Sequence, residues 1–329
     1  MLLFMEGIML KVAMIGKWHV HAEGYAKQFN SQPDSCVACV WDDDLKRGSE
    51  WAAKLNVPFY EDIDEMFQKS DFDAVCVCTA TSLHKEIYLK AAKWRKHIFT
   101  EKVMCLNTDD CDEAIKAINA SGVTFTISFP HRGFAHNLFI KKMIDEGELG
   151  TITLVRARNC HDGALKGWLP GYWYDPETTG GGAMMDLGAH PMYLASWLLG
   201  KPVSVTSSFQ HVTGRPVDDD ALCVLEFEND ARALVETSLV APYNPQIMEV
   251  YGTKGSILCT DGKLTMQTAQ TDGRITPVLG EELPSPLRQF TDSVLYGKPV
   301  LYGLDEARTL TEMMQNAYKA CDTGSKVVF

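Results

Sequence analysis

Between Gly180 and Gly200 the chain reads GGGAMMDLGAHPMYLASWLLG. This apolar stretch carries one carboxylate, Asp186, and one imidazole, His190, four residues apart. On a continuous helix that spacing puts both on one face. Burying either group among methionines and leucines is costly unless it is paired or used. A histidine beside an aspartate is equipment for moving a proton near neutral pH. The same spacing also reads as a helix N-terminus with an acid near its positive end and a core histidine bonded to a backbone carbonyl.

Further candidates sit where apolar runs end. IGKWHVHAEGYA follows the first run, and a dinucleotide-binding turn would carry G-x-G-x-x-G there. Only Gly16 of that pattern is kept; Trp18 and His21 hold the second and third glycine positions. Lys17, Trp18, His19 and Val20 are the expected cofactor-side residues of this turn, which read alone is an ordinary β–α turn. Asp42 ends the second run, twenty-six residues after Gly16. That is near the offset of an acid that hydrogen-bonds an adenosine ribose, and such an acid repels a 2′-phosphate, favouring NAD over NADP. Asp42, Asp43 and Asp44 also read as a solvated acidic turn. CTATSLH brings Thr79, Thr81 and His84 to the end of a third strong run, although His84 also reads as a surface helix residue. FTEKV brings Glu101 and Lys102 to another. A lysine aimed at the crevice would orient a substrate hydroxyl and favour its alkoxide-like transition state.

The elements that must position these residues are legible in the periodicity. Up to Phe129, short apolar runs (LKVAMIG, SCVACVWD, VPFY, DAVCVCTA, HIFTEK, VTFTISF) alternate with amphipathic stretches. Strands separated by helices predict a doubly wound parallel sheet, whose strand ends line a cofactor crevice. After a helix near 135–147 the rhythm changes to consecutive strands (VSVTSSFQHV, ALCVLEFEN, ARALVETSLV, IMEVYGTKGSILC, LTMQTA), which predict a mainly antiparallel open sheet. The expected class is α/β followed by α+β. A cofactor domain is expected over 1–129 and a second domain over 130–329. The closing helix at 304–323 is expected to pack back near the junction.

Bulk properties narrow the function. Forty-three acids against thirty-one bases give a net charge of −12, which argues against nucleic acid and anionic membranes as partners. No apolar run reaches the length of a membrane span, and MLLFMEGIML lacks the basic start of a signal peptide. That segment also leaves Met5 or Met9 as alternative starts. Ten cysteines at no zinc-ligand spacing lead to expecting no metal and a reducing cytoplasm.

With the nucleotide-type half, FTEKV, GGGAMMDLGAH and the antiparallel half in that order, the chain resembles the GFO/IDH/MocA oxidoreductases over residues 9–329. GELGTI near Gly147 and LDEARTLTEMMQNAYKACDTGSKVV at the end add to the likeness. The resemblance implies a Rossmann domain binding NAD, a second domain over 130–329 for substrate binding and oligomerisation, and a homo-oligomer, dimer or tetramer. It implies hydride transfer at a secondary alcohol of a sugar, polyol or inositol. The family's Glu-Lys-Pro motif falls on Glu101, Lys102 and Val103. Its D-x-G-x-H-x-x-D motif falls on Asp186, Gly188, His190 and Tyr193. It thereby implies that His190 is the acid/base, with Asp186 and Lys102 holding the reacting hydroxyl. Trp18, Val103 and Tyr193 depart from the family pattern. Upstream, GWLPGYWYDPETT offers Tyr172 and Trp173 as a platform for a sugar ring or as domain packing, and Arg132 follows the sixth strand as a further substrate contact. The alternatives are a reductase of another small carbonyl, of dihydrodiol or biliverdin type, and a dinucleotide-binding sensor without turnover.

Overall fold

The computed structural model describes residues 9–243 and 246–329, so the N-terminal leader question lies outside the described residues. The chain forms two compact units. The first runs through Cys105 and resumes over Asp109–Ser128 and Pro284–Ala307; the second comprises Leu106–Thr108, Phe129–Leu283 and Arg308–Phe329. The structure thus departs from an uninterrupted second domain over 130–329, because Pro284–Ala307 folds into the first unit. The reason is apolar: Leu287 and Phe290 are buried in that unit's core with Phe29 and Phe99.

In the first unit, β1 (Leu10–Ile15), α1 (Ala22–Ser31), β2 (Ser35–Trp41), α2 (Leu45–Leu55), β3 (Phe59–Tyr60), α3 (Ile63–Lys69), β4 (Ala74–Val77), α4 (His84–Lys93), β5 (His97–Thr100), α5 (Thr108–Ser121) and β6 (Phe125–Ile127) alternate. The six strands are ordered β3-β2-β1-β4-β5-β6 and every pair is parallel. All four residues of β4 are buried, as a strand covered on both faces requires. The order reverses between β1 and β4. At such a switch point the crevice beyond the strand ends accepts a ligand.

The second unit opens with α6 (Ala135–Asp145) and β7 (Ile152–Cys160). A helical excursion follows: α7 (Gly163–Lys166), α8 (Pro176–Thr179), α9 (Ala183–Asp186) and α10 (Ala189–Leu199). Then come β8 (Pro202–Gln210), β9 (Asp220–Phe227), β10 (Arg232–Ser238), β11 (Ile247–Gly252), β12 (Gly255–Thr260) and β13 (Lys263–Thr268). The chain ends with α11 (Pro286–Tyr296), α12 (Leu304–Thr323) and β14 (Val327–Val328). The eight-stranded sheet has the order β13-β12-β11-β7-β10-β9-β8-β14 and is antiparallel except for β7 beside β10. Alternation in β9 explains its two faces. Ala221, Cys223, Leu225 and Phe227 are buried, whereas Leu222 and Val224 are exposed.

Candidate active site

At the carboxyl edge of the parallel sheet the phosphate-type turn is built around Gly16. Its φ of +81° is left-handed, and a Cβ there would lie 2.6 Å from Thr79 Cγ2, so the turn needs glycine. His19 N–H donates to Cys78 O (2.9 Å), which ties the turn to β4. Trp18, in place of the second glycine, is buried at 6% exposure, while Val20 stands half-exposed. Lys17 reaches outward to Glu23 (2.5 Å).

Asp42 is not presented to a ribose. It is fully buried, and its carboxylate accepts Lys17 N–H (2.6 Å), Asp44 N–H (2.8 Å) and the Arg47 guanidinium (2.5–3.1 Å). It organises the turn, because a buried carboxylate must collect donors. The neighbouring acids Asp43 and Asp44 are both exposed; Asp44 caps α2 and Asp43 pairs with Arg47 (2.8 Å). His84 is likewise no surface residue. Its Nδ1 faces the carbonyls of Val103 (3.1 Å) and Met104 (3.2 Å), its Nε2 faces that of Thr79 (3.3 Å), and burial holds its pKa below the usual value. It staples the chain around Lys102 and leaves no ring nitrogen for a cofactor.

Thr79 does fit a ligand. Its side chain is buried at the end of β4, and Oγ1 has no hydrogen-bond partner among the described residues. A buried hydroxyl left unsatisfied at a switch point suits a polar cofactor atom. Thr81 is half-buried at the start of the 3-10 turn that follows.

Glu101 ends β5 with its N–H on Val77 O (3.0 Å) and is almost fully buried. Its Oε1 accepts from Tyr25 Oη, which also bonds Ser128 Oγ (2.8 Å). His21 Nδ1 lies 2.7 Å and His19 Nδ1 3.5 Å from the same oxygen, and Lys102 N–H donates to Oε2 (3.1 Å). Burial alone would raise the Glu101 carboxyl. The charges of His19 and His21, the His21 hydrogen bond and Lys102 overcome it and hold it well below the usual range. Lys102 itself is buried, and the Lys102–Val103 peptide is cis without the proline of the family motif. His19, His21 and Glu101 are the one group of metal-ligand type found among the described residues. The alternating His-x-His was their signal in the sequence; Tyr25 and Ser128 had none.

Within the second unit the triple glycine serves close packing. A Cβ on Gly182 would lie 1.9 Å from Asp218 O. The Asp218 carboxylate accepts the N–H groups of Gly182 and Met184 (both 2.8 Å) and Tyr318 Oη donates to it (2.7 Å). Asp186 and His190 are not on one continuous helix. Asp186 ends α9 and His190 opens α10. Between them Gly188 N–H bonds five residues back to Ala183 O, and His190 N–H three back to Leu187 O. One wide turn is followed by one tight turn, while Leu187 and Gly188 keep right-handed helical angles, so the backbone passes from α9 into α10 through an irregular helical junction.

His190 is buried, and its Nδ1 is 2.9 Å from Tyr193 Oη. That oxygen also accepts His131 N–H (3.1 Å), and the His131 ring stacks on His190 at 4.2 Å and 18°. Tyr193 in turn stacks on Phe129 (4.2 Å, 20°). The residue that departs from the family motif is therefore the one bonded to the histidine, which spacing alone did not reveal. The Arg132 guanidinium lies over the Trp197 ring (5.1 Å). The aromatic segment divides: Trp168 and Tyr172 are exposed at 52% and 37%, whereas Trp173 and Tyr174 are buried. A cavity of about 30 Å³ beside His131, Asn137, Asn159 and Gln246 has room for a water or two, not a sugar.

Comparison with known proteins agrees with the two-part fold. Residues 10–129 match the model of the oxidoreductase family with an NAD-binding Rossmann fold, and residues 138–258 match the GFO/IDH/MocA C-terminal domain. The chain is 30% identical over 235 residues to scyllo-inositol 2-dehydrogenase (NAD(+)) of Bacillus subtilis, covering 69% of this chain and 67% of that protein. It is 24% identical over 345 aligned positions to D-glucoside 3-dehydrogenase of Escherichia coli, covering 97% of each. Levoglucosan dehydrogenase, solved with NADH and levoglucosan, has the same fold: TM-score 0.85 at 19% identity, covering 97% of this chain and 99% of that one. Two consecutive family domains, in the order the fold displays, place this chain in the GFO/IDH/MocA family of NAD-binding oxidoreductases.

Proposed function

We propose that this protein is an NAD-dependent dehydrogenase acting on a secondary hydroxyl of a sugar, polyol or inositol, with His190 as acid/base and Lys102 as the group that steadies the reacting oxygen. The observation that carries the reading is the His190 setting, a buried imidazole with one nitrogen fixed by a hydroxyl. NAD, when bound, supplies the hydride acceptor; Gly16, the backbone of the turn through Val20, Thr79 and Thr81 would hold it.

A tyrosine hydroxyl suits His190 to both directions of such a reaction. When Nδ1–H donates to Tyr193 Oη, Nε2 carries a lone pair and takes the substrate's hydroxyl proton. When Tyr193 O–H donates to Nδ1, Nε2 carries the proton and returns it. The ammonium of Lys102 stabilises negative charge that grows on the oxygen as its proton leaves. Asp186, half-buried at the end of α9, is assigned to orienting the substrate hydroxyl, with Arg132 and Tyr172 as outer contacts.

The relatives named for inositol and glucoside oxidation support the substrate class. The test is steady-state NADH formation with an inositol, glucoside and polyol panel. His190→Ala and Lys102→Ala should each lower kcat by about 10²–10⁴ while NADH affinity changes little. Near-normal turnover in both variants overturns the assignment, and NADH binding with no turnover across the panel favours a sensor.

No helix of the described residues is long and apolar enough to cross a membrane. Ten free cysteines support a reducing, cytoplasmic setting. The uncovered sheet face around Leu222 and Val224 supports a homo-oligomer, dimer or tetramer, which sedimentation at micromolar concentration tests.

A further inference from the structure

We propose that His19, His21 and Glu101 form a binding site for a divalent transition-metal cation of the zinc type, held by two imidazoles and one carboxylate. Their candidate ligand atoms all lie within 4.8 Å of one another. Two histidines and a glutamate are a recurrent three-ligand set that leaves a fourth position open.

The distances suit an ion. Bonds of about 2.0–2.2 Å in tetrahedral geometry space the donor atoms by about 3.4 Å. His19 Nδ1 and Glu101 Oε1 are already 3.5 Å apart. His21 Nδ1 and Oε1, now 2.7 Å apart, need to open by roughly 0.7 Å, a movement the half-exposed His21 side chain permits. Binding a cation displaces any proton held by the two rings and replaces the His21 N–H (3.2 Å) as the partner of His19 Nδ1.

The surroundings suit one too. The Glu101 side chain is only 2% exposed, so its carboxylate is an almost dehydrated ligand. Tyr25 and the Lys102 N–H already orient its two oxygens, and Ser128 steadies Tyr25, the outer ring of contacts a metal ligand needs. His19 lies in the turn after β1, His21 directly precedes α1 and Glu101 follows β5; His19 N–H on Cys78 O and Glu101 N–H on Val77 O fix two of the three backbones. His21, about half-exposed, is the way in.

The experiment uses the full-length protein after chelator treatment and dialysis. Zn²⁺ is titrated calorimetrically, Co²⁺ is followed by the visible absorption of a four-coordinate ion, and NADH binding is measured on the same samples. One equivalent of either cation, weakened at least tenfold in His21→Ala and in His21→Gln but not in His131→Ala, is the expected result. Two His21 variants guard against one that misfolds. Failure to take up a stoichiometric cation, or binding that both His21 variants leave unchanged, overturns the site and leaves a cluster held by protons alone. Because NADH binding is read separately, a protein that binds the dinucleotide but no cation refutes this inference without touching the dehydrogenase reading.

Discussion

Replacing Tyr193 by Phe isolates one hydroxyl. The ring stacked on Phe129 stays, but His190 Nδ1 and His131 N–H both lose the oxygen they share, at 2.9 and 3.1 Å. The Tyr193 side chain is buried, so water does not readily replace it. Leaving a buried donor without its partner costs about 1–3 kcal/mol of stability. The catalytic effect is separate: a hydrogen bond worth about 0.5–1.5 kcal/mol no longer selects the His190 ring orientation and tautomer. At about 1.4 kcal/mol per tenfold, kcat should fall by roughly 2- to 12-fold. The bond belongs to the enzyme and not to the substrate, so kcat/KM should fall by a similar factor and KM should hold. Urea unfolding followed by circular dichroism reads the first effect, and NADH formation across pH 6–9 the second. A variant that loses the stability but keeps wild-type kcat at every pH refutes the role of Tyr193 in orienting His190 and leaves it a packing residue.

Two other outcomes follow from the first unit. Thr79→Val replaces an unsatisfied hydroxyl by a methyl group, so the free protein should be as stable or slightly more so, while NADH binding weakens by roughly 2- to 12-fold, the worth of one hydrogen bond; unchanged NADH affinity in a fluorescence titration would place the cofactor elsewhere. Arg288→Met removes a two-pronged pair to Asp34 (2.7 and 2.9 Å) and should cost about 1.5–3 kcal/mol at neutral pH. The Arg288 hydrogen bond, against some burial and with help from Tyr296, holds the Asp34 carboxyl below its usual value. Its contribution is therefore present above the unfolded carboxyl pKa of about 3.9 and is lost as pH falls through the lower folded value. The wild-type to variant gap should stay level from pH 5 to 8 and close toward pH 2.5; a gap that persists there refutes the link.

The parallel sheet was legible because its strands are buried on both faces, so LKVAMIG and DAVCVCTA are continuous apolar runs between amphipathic helices. The second sheet was legible from consecutive alternating strands, but not the parallel placing of β7 against β10. A long helical excursion separates the two strands, and strand patterning does not record which neighbour a strand finds after it. β14 escaped notice for its length, two residues whose partner β8 lies over a hundred residues upstream.

For the site, residue types and spacing by themselves singled out Asp186, His190, Glu101, Lys102, Asp42 and Thr79. Their chemistry is local, and strand ends and apolar settings are visible in one dimension. Only the folded chain decided what each one faces. It closed Asp42 behind Arg47 and His84 behind three carbonyls, since buried polar groups must find partners wherever the packing supplies them. It put Asp186 and His190 on two short helices joined by one wide turn at Gly188. It gave His190 the hydroxyl of Tyr193 and the ring of His131, from an element some sixty residues earlier. Hydrogen-bond partnership depends on ångströms between distant segments, and that information exists only once the backbone is folded.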